Sequence, residues 1–187
     1  MKQLIMLVLI LGLITDTKSQ NIEFFSENLT FRLQKGLFEV DGIYFFRNET
    51  GSDVKKALFY PFPDTETYGP VSFLSIKKEG DTVSMLINQT DKGALFLASL
   101  QSNEEVAYHI IYRQKLNSKK ATYIITTTQK WGKPFKTADY RLEFPDSLKF
   151  TSISIEPDSI FIKNDLNIYI WHRQNFMPTV DFEFEFE

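Results

Sequence analysis

The chain has 187 residues with 21 basic and 24 acidic side chains, and its net charge of −3 is mild and mixed. Such a balance does not suggest a nucleic-acid partner, because that partner would need a clustered basic face. Cysteine is absent, which excludes disulfides, thiolate metal sites and cysteine nucleophiles. The length predicts a single domain that is held together by its core alone.

The N-terminal segment has the charge and polarity pattern of a secretory signal peptide. Lys2 precedes an apolar run from Leu4 to Ile14, and a polar stretch follows. Thr17 and Ser19 are small enough for a signal-peptidase site. We therefore predict a signal peptide over residues 1–19.

Export decides where we expect the protein to act. The apolar run is shorter than the roughly 20 residues that a membrane-spanning helix needs, although a retained anchor is the alternative. After cleavage we expect no stable membrane insertion, because no second apolar stretch follows. An exported chain without cysteine is more typical of bacteria, so we predict a secreted or periplasmic protein of the cell envelope. In a eukaryote, Asn28, Asn48 and Asn88 would be candidate glycan acceptors.

Residues 20–187 have the pattern of short β-strands almost throughout. In LFEVDGIYFFRN apolar and polar side chains alternate, so that Phe38, Val40, Tyr44 and Phe46 share one face. The other predicted strands, in chain order, are VSFLSIKK, TVSMLIN, ALFLASL, EEVAYHIIYRQ, ATYIITTT, YRLEF, KFTSISI, IFIK and LNIYIWH. Turns rich in Gly, Pro, Asn and Asp separate them. The pattern predicts an all-β fold, a single antiparallel β-sandwich domain over 20–187.

The C-terminal segment VDFEFEFE is a further predicted strand. Its phenylalanines alternate with acidic residues, so the aromatic row shares one face and the acidic row shares the other. We predict that the aromatic row seals the core. The acidic row favours a basic neighbour, and the predicted partner is YHIIYRQK, which carries His109, Arg113 and Lys115 in one phase. The alternative is that the tail joins the sheet edge of another molecule.

The two histidines are the candidates for acid–base chemistry. His109 lies within VAYHIIY, and His172 follows Trp171 in IYIWHRQ. Neither belongs to a nucleophile elbow, an HExxH motif or a close histidine pair. An envelope hydrolase, with a site assembled in space from His172 or His109 and carboxylates, stays open as an alternative. We predict no catalytic residue and no enzymatic activity.

Two acidic segments could offer oxygen ligands to calcium. PDTETYG spans 63–69 and NDLN spans 164–167, but neither has the dense ligand spacing of a dedicated loop. Both are equally explained as turns that need no ion. We therefore predict no metal site and no cofactor.

Aromatic side chains are the strongest compositional signal, with 18 Phe, 8 Tyr and 2 Trp. Most should lie in the core. Trp131 lies in TTTQKWGKP near Lys133, at a strand end or in a loop, where an exposed ring can stack on a sugar or anchor a protein. Alternatively, it folds back and plugs the end of the sandwich. Trp171 belongs to the core or its rim, and the candidate binding residues are Trp131, Lys133, Trp171 and His172.

One series of motifs spans residues 37–145. The strand FEVDGIYFFRNET is followed by ALFYPFPD, and the positions that carry the comparison are Asn48, Pro61, Phe62, Pro63, Glu105, Ile110 and Tyr112. This order resembles VIT-like modules, which precede von Willebrand type A domains in inter-alpha-trypsin inhibitor heavy chains. The stretch from Tyr123 to Pro145 is also similar to bacterial exported domains of unknown function. The resemblance implies an antiparallel β-sandwich that serves as an interaction or scaffold module without catalytic residues.

These observations lead to a functional hypothesis with two alternatives. We predict a non-catalytic module that binds a protein or a glycan at the cell envelope. The hydrolase is the first alternative, and assembly through exchange of the C-terminal strand is the second. The oligomeric state stays open.

Overall fold

The computed structural model describes residues 22–187, so the predicted signal peptide over 1–19 lies outside the described residues. The strands are β1 (Ile22–Gln34), β2 (Leu37–Asn48), β3 (Val54–Pro61), β4 (Val71–Lys78), β5 (Leu86–Thr90), β6 (Gly93–Leu100), β7 (Glu105–Lys115), β8 (Lys120–Tyr123), β9 (Phe135–Pro145), β10 (Phe150–Ile153), β11 (Ser159–Lys163), β12 (Leu166–Phe176) and β13 (Phe182–Phe186). A one-turn helix α1 (Thr65–Tyr68) follows β3, and a 3₁₀ helix (Thr126–Trp131) follows β8.

These strands form three sheets, which we call I, II and III. Sheet I has the order β11-β12-β9-β1-β2-β7-β4, sheet II has the order β10-β13-β8, and sheet III has the order β3-β6-β5. Neighbouring strands run antiparallel except for β1 and β9, which run parallel, so sheet I is mixed. The prediction of an all-β domain is confirmed.

Sheets II and III lie side by side over one face of sheet I, its inner face. The ring of Phe182 in sheet II lies 4.8 Å from the ring of Tyr140 in sheet I. In sheet III, Phe96 lies 5.5 Å from Tyr108 of sheet I. Side chains alternate between the two faces along each strand of sheet I, so every second residue contributes to the apolar layer between sheet I and sheets II and III. The domain is therefore a sandwich whose second layer is divided in two.

The C-terminal tail is the middle strand of sheet II, and Phe182, Phe184 and Phe186 are all buried. The prediction of a closing strand is confirmed. The predicted neighbour is wrong, because the tail pairs with β8 and β10, whereas the segment around His109 lies in sheet I. The acidic row still finds a cation, since Glu185 forms an ion pair with Lys120 on β8. The tail belongs to the other layer, which the charge pattern alone does not reveal.

Strand β1 lies at the centre of sheet I, although the sequence did not mark it as a strand. Its register shifts between Phe24 and Ser26, which is a β-bulge at Phe25. The inward face therefore changes phase along the strand, with Phe24 buried before the bulge and Glu27 and Leu29 buried after it. This change of phase hides the alternation that would otherwise reveal the strand.

Asn48 is the last residue of β2, and both the NH2 and the oxygen of its side-chain amide form hydrogen bonds. Its Nδ2 donates to the carbonyl oxygens of Ser52 and Gln101 at 2.7 and 2.8 Å. Its Oδ1 accepts from the backbone N–H of Thr50 at 2.9 Å. Since Asn48 is 1% exposed, it is a structural residue and is not available to a glycan in the folded chain. Asn28 and Asn88 are exposed.

The helical segments of residues 22–187 are short. None of them has the length and apolar character that a membrane-spanning helix requires.

Candidate functional site

A cavity of about 50 Å³ lies where sheets II and III meet above the inner face of sheet I. Its walls are apolar and come from all three sheets and from the 3₁₀ helix; they include Phe46, Leu58, Phe59, Phe96, Ile110 and Trp131. Its polar part comes from three tyrosines, Tyr44, Tyr60 and Tyr123. An apolar hollow with a few converging polar groups is the usual form of a small-ligand site. We call this feature the tyrosine cleft.

The three tyrosines form a continuous chain of hydroxyl groups. The hydroxyls of Tyr60 and Tyr44 lie 2.7 Å apart, and those of Tyr44 and Tyr123 lie 3.3 Å apart. The Tyr123 hydroxyl in turn donates to Oε2 of Glu27 at 3.1 Å. Burial raises the pKa of Tyr44, Tyr60 and Tyr123 well above the ordinary value, so each phenol keeps its proton.

Glu27 lies behind the cleft and is 1% exposed. Its Oε1 accepts a second hydrogen bond, from the Tyr140 hydroxyl at 2.7 Å. Burial raises the pKa of Glu27 to about 7, against the lowering effect of the bonds from Tyr140 and Tyr123. Among residues 22–187 no arginine, lysine or histidine forms an ion pair with this carboxyl. The site therefore holds a buried acid that is poised near neutrality and has no cationic partner.

The register of the strands brings Glu27 and the tyrosines together. Glu27 on β1 lies directly opposite Tyr44 on β2, and the parallel strand β9 brings Tyr140 to the same side. Gly42 lets the Tyr44 ring lie close to the strand, because a Cβ there would meet Tyr44 Cε2 at 2.7 Å and Leu29 Cδ2 at 2.3 Å. A glycine in a strand often marks such a close approach.

Trp131 is the one predicted binding residue that lines the tyrosine cleft. It ends the 3₁₀ helix and is half-buried, with its ring 5.9 Å from Phe24 and 5.7 Å from Phe46. Gly132, in the left-handed conformation, turns the chain away from it. The predicted strand ATYIITTT accordingly ends at Tyr123. Trp131 thus packs on the core and also faces the cavity.

The other three predicted binding residues lie away from the cleft. Trp171 is fully buried and donates its indole N–H to the Ile155 carbonyl at 2.9 Å, so it lies in the core, which is where the sequence placed it. Lys133 is exposed and forms ion pairs with Glu49 and Glu23 at 3.2 and 3.4 Å. His172 lies on the outer face of sheet I.

Both histidines are bonded to carboxylates on that outer face. His109 Nε2 lies 2.7 Å from Asp41, and His172 Nδ1 lies 2.5 Å from Asp139. A nucleophilic triad also requires a hydroxyl or thiol within reach of the imidazole. Among residues 22–187, neither histidine forms a hydrogen bond with a hydroxyl. Each pair joins two neighbouring strands of sheet I.

The acidic segments that could have offered ligands to calcium are turns. Asp64 caps α1 by accepting from the Thr67 backbone N–H at 2.9 Å. Asn164 and Asp165 both have positive φ, at 53° and 61°, and connect β11 to β12 as a tight hairpin. Within residues 22–187 no group of three or more histidine and carboxylate side chains is placed for a metal ion.

Sequence reasoning missed the carboxyl and the tyrosines that define the cleft. One signal was present, since Glu27 shares the period-two row of Leu29, Phe31 and Leu33 in ENLTFRL. A glutamate in phase with an apolar row is a candidate for burial. The tyrosines carry no such signal, because the sequence pattern around a strand tyrosine does not show whether its hydroxyl is hydrogen-bonded to water or to another side chain.

No protein-family model and no curated protein matches the chain. Solved structures do match it in fold. A protein from Legionella pneumophila that is proposed to bind nutrients is 13% identical with a TM-score of 0.71, and the match covers 90% of this chain and 67% of that chain.

Two further matches are peptidases. An M1 zinc metallopeptidase from Deinococcus radiodurans is 13% identical with a TM-score of 0.53, over 89% of this chain and 42% of that chain. A mutant of a two-domain M1 zinc metallopeptidase bound to L-tryptophan is 12% identical with a TM-score of 0.55, over 89% and 43%. The chain thus spans about two fifths of these peptidases. At such identities the matches show a shared β-rich fold alone, and the resemblance to VIT-like modules stays a prediction.

Proposed function

We propose that the chain is an exported, non-catalytic binding module and that the tyrosine cleft receives its ligand. The observation that carries this proposal is the cleft itself, with apolar walls, a chain of three tyrosine hydroxyls and a buried carboxyl behind them. A strongly shifted carboxyl beside an apolar hollow is a recurrent mark of a functional site.

The size of the cleft limits what enters it. A cavity of about 50 Å³ is far smaller than the roughly 300 to 1,000 Å³ of sites that enclose a whole drug-sized ligand. It can hold one end of a small molecule, or one side chain of a protein partner. The remainder of the ligand would lie outside, against Trp131 and Phe59 at the half-exposed side of the cavity. The similarity in fold to a proposed nutrient-binding protein agrees with a binding role.

Blocking the cleft tests this proposal. Thr127 lines it from a half-buried position, so Thr127→Trp should fill its open side without disturbing the deepest packing. Saturation-transfer NMR with a library of small apolar fragments should detect binding to the natural protein and its loss in this variant. Thr179→Trp, at an exposed position, is the matched control. Fragments that bind equally to all three proteins, or to none of them, would contradict the proposal.

A further inference from the structure

We infer that β11 is a self-association edge, through which two copies of this chain pair antiparallel about a two-fold axis at Phe161. The inference goes beyond the proposed function, because no residue of β11 lines the tyrosine cleft. It is carried by the exposure of β11, by the direction of its free backbone groups and by the fit of its sequence to a second copy of itself.

Strand β11 is one end of sheet I in the described part of the chain. All five of its residues are exposed, and three of them are large and apolar: Ile160 is 59% exposed, Phe161 is 42% exposed and Ile162 is 71% exposed. An exposed apolar edge strand is a template for another strand. The C-terminal tail differs from it, because β13 is paired on both sides.

The other edge strands carry features that discourage such pairing. Strands β4, β5 and β10 each have a register shift against the strand they pair with, and irregularities of this kind interrupt a ladder. Strand β3 contains two lysines and Pro61, and β8 has only four residues, beginning with Lys120. Strand β11 pairs with β12 in unbroken register, and its one charged residue, Lys163, lies at its end. Among the edges within residues 22–187, β11 is therefore the one that is both regular and apolar.

The hairpin between β11 and β12 determines which backbone groups of β11 are free. Its two-residue turn closes on Lys163 and Leu166, so these two residues form a hydrogen-bonded pair. Hydrogen-bonded and non-hydrogen-bonded pairs alternate along an antiparallel ladder, so the backbone of Phe161 also bonds to β12. Ile160 and Ile162 therefore direct their N–H and C=O groups away from β12, towards the free edge. Each of them offers one donor and one acceptor to a second strand.

The sequence of β11 fits a second copy of itself in one antiparallel register. When Phe161 lies opposite the partner's Phe161, each Ile160 lies opposite the partner's Ile162. Each Ser159 then lies opposite the partner's Lys163, so the one charge in the strand faces a neutral side chain. Aromatic and apolar cross-strand pairs of this kind stabilise a sheet. Either neighbouring register would place Phe161 opposite Ser159 or Lys163, and this self-complementarity is why we assign the edge to a second copy.

A groove beside β11 would shelter the paired isoleucines. The groove has a volume of about 410 Å³ and lies between β10 and β11, with Phe150, Ile153, Ile160 and Tyr169 among its lining residues. The partner's Ile162 would lie beside Ile160 on the same face of the sheet, and would therefore add a second apolar side chain at this groove. Pairing thus covers apolar surface that the single chain exposes.

The dimer would leave both tyrosine clefts open, because the residues that line the cleft come from other strands and from the 3₁₀ helix. Sheet I of one copy would continue into sheet I of the other. Two clefts on one particle strengthen binding to a ligand that is displayed in several copies on a surface. Self-association would in this way make the proposed binding module bivalent.

Sedimentation equilibrium of the full chain at roughly 100 µM tests the pairing, since a contact through one short strand is small and should dissociate in about this range. Ile162→Lys should raise the dissociation constant of the dimer about tenfold or more, because it brings a charge beside the partner's Ile160. The fold of the single chain should not change, since Ile162 is 71% exposed. Ile87→Lys, at an isoleucine of β5 that is 56% exposed, is the matched control and should change the constant by less than about twofold. Equal dissociation constants for the two variants would contradict the inference.

Disulfide cross-linking tests the register, because the chain has no cysteine of its own. In the inferred register the two Cα atoms at position 161 lie about 4.5 Å apart, which a disulfide spans, whereas those at position 162 lie about 8 Å apart, which it does not. Under mild oxidation, Phe161→Cys should therefore form linked dimers about tenfold faster than Ile162→Cys, and Ile87→Cys gives the rate of random collision. Equal rates at positions 161 and 162 would overturn the register. A monomeric chain whose Phe161→Cys variant links no faster than Ile87→Cys would overturn the inference and leave the edge to a strand of a different protein.

Discussion

Glu27 and Tyr44 lie directly opposite each other on β1 and β2, and a third residue, from the other layer of the sandwich, links their side chains by hydrogen bonds. Tyr123 of sheet II donates to Glu27 and lies within hydrogen-bonding distance of Tyr44. The two layers are therefore joined by polar contacts at the centre of an otherwise apolar core. Such a network fixes the relative position of the layers, because every member loses a partner if one layer slides.

The buried acid should give the stability a distinctive pH dependence. The pKa of Glu27 is raised from 4.5 to about 7 in the folded state, so between these values the folded protein binds more protons than the unfolded chain does. The free energy of unfolding should therefore fall as the pH rises from about 4.5 to 7, by on the order of 3 kcal/mol from this group. In Glu27→Gln this fall should be absent, so the variant should equal or exceed the natural protein in stability at pH 8.

Urea unfolding at pH 5 and pH 8 measures this difference, with Glu105→Gln as the control. A Glu27→Gln protein that loses stability with rising pH as steeply as the natural one would show that Glu27 does not titrate as described.

Replacement of Gly42 by alanine tests the close approach of Tyr44. The new Cβ would lie 2.3 Å from Leu29 Cδ2 and 2.9 Å from the Tyr44 hydroxyl, so both side chains must move. We expect a loss of about 1 to 3 kcal/mol in the free energy of unfolding, which is typical of overpacking, together with weaker fragment binding in the cleft. Gly51→Ala is the matched control, since a Cβ at that position meets nothing within 4 Å. Equal stability of the two variants would count against the packing described for Tyr44.

The aromatic row of the tail should carry much of the stability of sheet II. Phe184 is fully buried and lies 5.8 Å from Phe31 and 6.0 Å from Phe38, ring centre to ring centre. Phe184→Ala should cost about 3 to 5 kcal/mol in the free energy of unfolding. Glu183→Ala, at the exposed neighbouring position, should change it by no more than about 0.5 kcal/mol. If Phe184→Ala matched Glu183→Ala in chemical denaturation, the sealing role of the tail would be disproved.

Substitution of Asn48 tests whether its buried hydrogen bonds stabilise the end of β2. Asn48→Asp would replace the amide NH2, which donates to the carbonyl oxygens of Ser52 and Gln101, by one carboxylate oxygen that faces both of them. We expect a loss of about 3 kcal/mol or more at pH 8, with partial recovery at pH 4 as the new carboxyl is protonated. Asn28→Asp, on an exposed position of β1, should be close to neutral. A stable Asn48→Asp protein would mean that the turn does not depend on these bonds.

Local patterns predicted the strands whose alternation is unbroken. The segment LFEVDGIYFFRN is β2 in full, and its predicted row of Phe38, Val40, Tyr44 and Phe46 is buried. The tail was predicted for the same reason. Strand β1 was missed because the bulge at Phe25 shifts its inward phase by one residue.

Contacts between segments that are far apart in the chain could not be predicted from a single sequence. The pairing of the tail with β8 and β10 depends on which layer each strand joins, and a charge pattern fits several neighbours. The tyrosine cleft brings together residues from β2, β3 and β8. The sequence pattern of each strand shows which side chains point inward, but it does not show that these three strands meet. Trp131 could be singled out by its flanking residues, whereas the burial of Trp171 depended on the aromatic row of β13 lying over it.

The division of the second layer bears on how quickly a ligand could come and go. Sheets II and III form no backbone ladder with each other, so a small shift of their facing edges would break no strand pairing, provided that it preserves the hydroxyl contacts of Tyr44 with Tyr60 and Tyr123. If the cleft binds a ligand as proposed, we expect the ligand to enter by side-chain rearrangement, which is faster than local unfolding. We then expect its exchange rate to be insensitive to stabilising substitutions that lie away from the cleft.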